Sequence, residues 1–205
     1  MPKQYRDLGG VPMLLRALRP FTAHPDVAHT VVALLPRDAA APPAWLATLL
    51  GGTLTVVAGG AARSDSVARG LDALPQACTT VLVHDAARPL VDRATIDRVI
   101  AAARRGQGAV PGIPLGDTLK EAGEPDLMVT RTVPRHRLWL AQTPQGFPRG
   151  LLADAHARAR REGVQATDDA ALVEGLGATV RIVPGSVWNL KVTTEEDLRI
   201  AERLL

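Results

Sequence analysis

The stretch "VLVHDAARP" (Val81–Pro89) decides the fold. Its apolar half is typical of a strand that is covered on both faces, and the chain then reaches Asp85, two alanines and Arg88. In an open parallel sheet, ligands gather at the carboxyl ends of the strands. We therefore expect Asp85 to project into a crevice. An aspartate that caps the next turn and pairs with Arg88 is the alternative interpretation.

The residue types at this strand end favour a phosphate ligand. A carboxylate such as Asp85 can hold Mg²⁺, which takes one or two protein oxygens and fills its other positions with phosphate and water. The planar guanidinium of Arg88 offers paired donors that suit a phosphate.

Similar apolar runs alternate with amphipathic helical patterns, which predicts an α/β fold with a mostly parallel sheet and helices on both faces. The predicted strands are His29–Leu35, Thr53–Ala58, Thr79–His84 and Gly108–Ile113. Two helical stripes are predicted from Leu14, Leu18 and Phe21, and from Ile96, Val99, Ile100 and Ala103. A last helix is predicted in "TTEEDLRIAERLL", with Thr193 and Glu196 as a capping box and with Leu198, Ala201 and Leu205 facing inward.

Composition limits the class of protein. The 205 residues, 46% of them apolar, predict one domain (1–205) with a sizeable core. The single cysteine, Cys78, excludes a disulfide framework, and no apolar run resembles a signal peptide or a membrane span, so a cytoplasmic location is the default expectation. A net charge of +3 and an aromatic content of 3% argue against nucleic acid as a partner.

Three other segments stand out. Pro114 to about Arg137 lacks helical periodicity and contains Gly and Pro, which predicts a projecting β-hairpin arm that a partner subunit covers. "VVAGGAARSDSVARGL" (Val56–Leu71) predicts a Gly59–Gly60 turn before a helix capped by Ser64 or Asp65, either as a binding turn or as a plain one. Lys191 lies on an extended stretch, where a solvated surface lysine is the alternative.

These pieces resemble one family when they are taken together. The motifs "PKQY", "GGAARSDSV", "HDAARPLV", "GIPLGDTLK", "TVPRHRLWLAQTPQGF", "ATDDAALVE" and "NLKVTTEEDLRIAE", in this order, resemble 2-C-methyl-D-erythritol 4-phosphate cytidylyltransferases of the non-mevalonate isoprenoid pathway. The resemblance implies a Rossmann-like fold, a homodimer formed through the arm, Mg²⁺, CTP and a methylerythritol phosphate acceptor.

The resemblance also implies roles on the CTP side of the site. Lys3 and Lys191 would contact the CTP phosphates and stabilise the charge that builds at the α-phosphorus. Asp85 would lie beside the metal and the acceptor. Gly60 and Ser66 would recognise cytosine, although the family has Asp or Glu soon after the Gly pair, where this chain has alanines.

On the acceptor side, the resemblance implies a pocket for methylerythritol phosphate lined by Arg88, Thr118, Thr167 and Lys191, together with Asp85. Arg135 from the partner's arm would clamp the acceptor phosphate, and here Pro134 replaces the family's usual aspartate beside it. Thr143 belongs to the family's "TPQ" motif and is a further candidate.

One departure concerns the start of the chain. The family begins with a strand and a glycine-rich phosphate loop before "PKQY", so we expect the natural protein to carry about two dozen residues upstream of Met1. Two other hypotheses stay open. One is CMP transfer to another polyol phosphate such as ribitol 5-phosphate, and the other is a non-catalytic relative of the family.

Overall fold

A computed structural model describes residues 3–205, and for Lys3 it describes the backbone alone. The helices of the described residues are α1 (Met13–Thr22), α2 (Pro36–Ala40), α3 (Ala44–Ala47), α4 (Arg63–Ala73), α5 (Arg93–Ala103), α6 (Arg149–Glu162), α7 (Asp169–Gly175) and α8 (Glu195–Arg203), and a short 3-10 helix spans Lys3–Tyr5. The strands are β1 (Thr30–Leu34), β2 (Leu54–Ala58), β3 (Thr80–Val83), β4 (Gly108–Pro114), β5 (Leu119–Ala122), β6 (Val129–Val133), β7 (Trp139–Ala141), β8 (Gln145–Pro148) and β9 (Val180–Pro184).

The strands form three ladder groups, and the α/β class predicted from the sequence is confirmed. β1 and β2 form a parallel pair, β5 and β6 an antiparallel hairpin, and the five-stranded sheet runs β3-β8-β4-β7 with β9 parallel to β4. β8 is antiparallel to both β3 and β4, and β7 is antiparallel to β4. The pairing is therefore mixed, because the chain returns from the hairpin into β7 and β8 without a crossover helix.

The four predicted strands are confirmed to within one residue at each end. β3 is covered on both faces, as its apolar run predicts. Val81 packs with Phe147 and Leu152 on the side of α6 and α7, whereas Leu82 packs against α5 residues. Strands β7 and β8 were not predicted, because they are only three and four residues long and carry no comparable apolar run.

Helix α1 packs against both the β1–β2 pair and the β3 side of the five-stranded sheet. Leu14 and Leu18 pack with Val32 and Leu54 of the β1–β2 pair, while Phe21 packs against α5 and Leu82 of β3. No ladder joins β1 to β3 within residues 3–205. The position of the β1–β2 pair relative to β3 therefore depends on helix packing.

Two predicted helix caps were wrong. The capping box of α8 is Thr194 with Asp197, one residue later than predicted, because Thr193 uses its own N–H and hydroxyl to bind the Asp197 carboxylate. Leu205, predicted to face inward, is exposed. Helix α4 begins at Arg63, so Ser64 and Asp65 lie inside its first turn, and Asp65 accepts the Ala62 N–H at 3.1 Å.

The hairpin lies where the sequence predicted an arm. β5 and β6 pair in antiparallel register, and Leu127 and Met128 near its tip are more than 70% exposed. Its role in a homodimer stays a prediction. No helix within residues 3–205 is both long enough and apolar enough to cross a membrane.

Candidate active site

Asp85 follows the carboxyl end of β3, and its carboxylate lies between two cations. Lys191 Nζ lies 3.0 Å from Oδ2 and Arg63 Nε lies 3.6 Å from Oδ1. The Asp85 side chain is only 18% exposed. A turn follows Asp85, in which the Arg88 N–H donates to the Asp85 carbonyl. The alternative interpretation was nevertheless wrong, because among the described residues no hydrogen bond or ion pair joins the Asp85 carboxylate to this turn or to Arg88. The carboxylate itself, however, faces Lys191 and Arg63.

The surrounding charges keep Asp85 ionised. Burial would raise the pKa of the Asp85 carboxyl, but the hydrogen bond and charge of Lys191, helped by the charges of Arg63 and Arg88, lower that pKa below its usual value. An ionised carboxylate next to a lysine and an arginine is suited to a ligand that brings both a cation and phosphates.

Thr143 and His84 fix the backbone of Asp85. The Asp85 N–H donates to Thr143 Oγ1 at 3.0 Å, and Thr143 Oγ1 lies 3.0 Å from His84 Nδ1. His84 Nε2 lies 3.0 Å from the Arg88 carbonyl, which can only accept. His84 therefore carries its proton on Nε2, and the Thr143 hydroxyl donates to Nδ1. Thr143, a site candidate from the sequence, acts here by positioning Asp85.

Lys191 is held by anchors on both sides of it in the chain. The Asn189 side chain donates to the Thr143 carbonyl at 2.9 Å, and Val192 N–H donates to the Ala87 carbonyl at 2.7 Å. Lys191 lies between these two anchors and keeps a side chain that is 47% exposed. It is therefore directed at Asp85 while remaining open to a ligand.

Arg88 does not present the free fork that the sequence predicted. Its Nη1 donates to the Asn189 carbonyl at 2.7 Å and its Nη2 donates to the Ala141 carbonyl at 3.2 Å. Its Nε is buried and has no partner among the described residues. In this structure Arg88 braces the Asn189 segment and β7, because an arginine can reach two carbonyls from one planar group.

The Gly59–Gly60 turn leads into α4, whose first residue, Arg63, contacts Asp85. Gly60 N–H donates to Ser66 Oγ at 3.1 Å, and the Ser66 hydroxyl donates to the Ala62 carbonyl at 3.2 Å. A Cβ on Gly60 would lie 2.1 Å from Asp65 Cβ, so the close approach of this turn to α4 requires glycine.

The remaining candidates lie further out. Thr167 is exposed in the loop before α7, and Thr118 and Arg135 are exposed on the hairpin segment. Among the described residues, no hydrogen bond or ion pair joins these three to Asp85 or Lys191. The side chain of Lys3 lies outside the described residues.

Four functional candidates were missed by the sequence analysis. Arg63 lies within the stretch Val56–Leu71 but received no role, and Asp169, His156 and His84 received none either. Arg63 Nη1 donates to Asp169 Oδ2 at 2.7 Å, and His156 Nε2 lies 2.9 Å from Asp169 Oδ1. The only signal for Asp169 was its place beside Asp168 in "ATDDAALVE", because contacts across 106 residues leave no local pattern.

The fold and the site define a class of protein. A carboxylate flanked by a lysine and an arginine at a strand's carboxyl end is typical of α/β proteins that bind phosphate-bearing ligands. Within the described part of the chain, no cluster of three or more His, Cys, Asp or Glu side chains could hold a metal without a ligand's help.

Comparison with known proteins identifies the family. The model of the family "IspD: 2-C-methyl-D-erythritol 4-phosphate cytidylyltransferase" matches residues 1–205. The 2-C-methyl-D-erythritol 4-phosphate cytidylyltransferase of Frankia casuarinae is 47% identical over 205 residues, which cover 100% of this chain and 74% of that protein. The chain therefore belongs to this family, as its motifs predicted.

Other relatives agree on the fold but differ in length. The crystal structure of the 2-C-methyl-D-erythritol 4-phosphate cytidylyltransferase from Thermus thermophilus matches with a TM-score of 0.87 and 43% identity, covering 99% of this chain and 93% of that one. The "Bifunctional enzyme IspD/IspF" of Rhodospirillum rubrum is 48% identical, and the chain spans 52% of its length. The chain thus spans about half the length of the bifunctional relatives that it matches.

Proposed function

We propose that the protein transfers CMP from CTP to 2-C-methyl-D-erythritol 4-phosphate and releases pyrophosphate. The observation that carries this proposal is the Asp85–Lys191 pair, 3.0 Å apart and held at the end of β3, in a chain that belongs to this family throughout its length. The product would be 4-diphosphocytidyl-2-C-methyl-D-erythritol, an intermediate of isoprenoid precursor synthesis.

The reaction needs alignment and charge stabilisation more than covalent help from the protein. An oxygen of the acceptor phosphate attacks the α-phosphorus of CTP, a new P–O bond forms, and the bond to the pyrophosphate oxygen breaks. Negative charge grows on the α-phosphoryl oxygens as this happens. Lys191, with three donors on a half-exposed side chain, is suited to bind that charge, and Lys3 is proposed to do so as well.

The residues around Asp85 fit a magnesium ion that is shared with the substrate. Asp85 offers one carboxylate beside Lys191, which matches the preference of Mg²⁺ for one or two protein oxygens plus phosphates and water. Asp85 would hold the ion, which supplies charge neutralisation on the phosphates when it is bound. Because Thr143 accepts the Asp85 N–H, the backbone that carries this carboxylate is fixed.

The base and acceptor contacts remain proposals about named residues. Gly60 and Ser66 are proposed to bind cytosine at the start of α4, and Arg88, Thr118 and Thr167 to line the acceptor pocket. We also propose a homodimer in which Arg135 of the hairpin segment reaches the partner's site. The exposure of that segment supports this arrangement. A cytoplasmic location stays a prediction.

The test measures pyrophosphate release by the full-length protein with CTP, Mg²⁺ and 2-C-methyl-D-erythritol 4-phosphate. We expect turnover that stops when a chelator is added in excess, and much weaker turnover with ribitol 5-phosphate at equal concentration. Release of pyrophosphate that requires ribitol 5-phosphate instead would refute the proposed acceptor. Nucleotide binding without any turnover would favour the non-catalytic hypothesis.

A further inference from the structure

A second carboxylate is buried behind the candidate site. Asp169 is the first residue of α7, and its side chain is only 1% exposed. A buried aspartate is rare unless its charge is paired, because desolvation of a lone carboxylate is costly. The partners of Asp169 therefore indicate the role of its negative charge.

Each oxygen of Asp169 has its own partner. Oδ1 lies 2.9 Å from Nε2 of His156, which α6 carries into the core, and Oδ2 accepts from Nη1 of Arg63 at 2.7 Å. Burial would raise the pKa of Asp169, but the hydrogen bond from His156 and the charge of Arg63 lower that pKa below its usual value. Asp169 is therefore ionised, and its geometry is fixed from two sides.

Arg63 links this buried carboxylate to the site. Its Nη1 contacts Asp169, while its Nε lies 3.6 Å from Oδ1 of Asp85. The guanidinium is planar and rigid, so fixing one nitrogen fixes the direction of the others. Arg63 also opens α4 directly after the Gly59–Gly60 turn, where the base is proposed to bind.

We infer that Asp169, held by His156, is a positioning residue that directs Arg63 at Asp85 for the proposed transfer. The inference rests on the proposed function. The ordinary alternative is that the pair only fastens α4 to α6 and α7. A fastening role would change stability, whereas a positioning role also changes the turnover of each folded molecule.

The first experiment uses Asp169→Asn in the full-length protein, with active protein counted by nucleotide titration. We expect kcat to fall about tenfold to a hundredfold, the range for partners that orient residues around a metal site, with KM for CTP changed by less than about threefold. Asp154→Asn is the matched control. It removes one carboxylate charge from the exposed side of α6, the helix that carries His156, and among the described residues no hydrogen bond or ion pair joins Asp154 to Asp169 or Arg63, so kcat should stay at the parental value.

A second variant protects the test against misfolding. Arg63→Gln removes the other partner of the Asp169–Arg63 ion pair. The Arg63 side chain is partly exposed, and its loss should reproduce the fall in kcat. The double variant should lose no more than the more damaged single variant, since both changes break one link. Parental kcat in either single variant, or a double variant whose loss is the product of the two, would overturn the inference. A parent that releases no pyrophosphate would overturn the proposed function itself, and the inference with it.

Discussion

Lys191 Nζ lies 3.0 Å from Asp85 Oδ2, although the two residues are more than one hundred positions apart in the chain. About half of the Lys191 side chain is exposed to solvent, whereas the Asp85 side chain is largely buried. A cation held in this way can move to a ligand phosphate with little reorganisation, because only its flexible end must shift.

We predict that Lys191→Ala lowers kcat about a hundredfold or more, the scale for loss of a preorganised charge stabiliser. The measurement is steady-state pyrophosphate release. Arg199→Ala is the control, because it removes a positive charge from the exposed side of α8 close by in sequence. A Lys191→Ala rate within about threefold of the parent would exclude this lysine from the site.

We predict that Gly60→Ala disrupts the start of α4. The added Cβ would lie 2.1 Å from Asp65 Cβ, so Asp65 must move. The hydrogen bond from the Ala62 N–H to the Asp65 carboxylate would then break. We expect a loss of about 1–3 kcal/mol of unfolding free energy and weaker CTP binding, measured by denaturant titration and calorimetry.

Gly150→Ala is the control for this substitution. Gly150 lies in the first turn of α6 and a Cβ there meets nothing within 4 Å, so alanine should leave stability unchanged or raise it slightly. Equal stability and equal CTP affinity in Gly60→Ala and the parent would contradict the tight turn.

The sequence predicted the parts of this site that a strand or a motif contains. Asp85 was found because an apolar run places it at a strand end, and Lys191 because it lies in a family motif. The brace made by Arg88 and the link from Asp169 to Arg63 could not be predicted, because they join residues on different elements. The mixed pairing of β8 was missed for a related reason: a four-residue strand with one aromatic residue carries too little pattern to set its direction.

We predict that His84 makes the protein less stable between about pH 6.5 and pH 4. Burial, aided by Phe21 against the ring, lowers the pKa of His84 to about 4. The unfolded chain therefore binds the proton first as the pH falls, and the folded state is penalised by at most about 3 kcal/mol. Four carboxyls have a lowered pKa, namely Asp85, Asp169, Glu195 and Asp197, and they lose their contribution mainly below about pH 4.5.

The measurement is the free energy of unfolding in denaturant at several pH values. His84→Gln supplies a donor for the Arg88 carbonyl and an acceptor for Thr143 without a titrating ring, so its stability should fall less over this range. His29→Gln, directly before β1, is the control for the loss of a histidine elsewhere in the fold. An identical slope in His84→Gln and the parent would show that another group causes the loss.

The last prediction concerns the hairpin segment, whose exposed Arg135 is proposed to serve the neighbouring subunit. If each site combines Arg135 of one subunit with Lys191 of the other, Arg135→Ala and Lys191→Ala homodimers should each be nearly inactive. A mixed dimer of the two variants holds one site with both defects and one site with neither, because the twofold arrangement makes both sites composite. Mixing equal amounts makes about half of the dimers mixed, so about a quarter of the parental activity should return.

Subunit exchange is verified with differently tagged chains. The control replaces Arg135→Ala by Arg131→Ala, which removes an arginine paired with Glu121 on the hairpin. An exchanged mixture that stays as inactive as its parents would show that Arg135 does not act across a subunit interface.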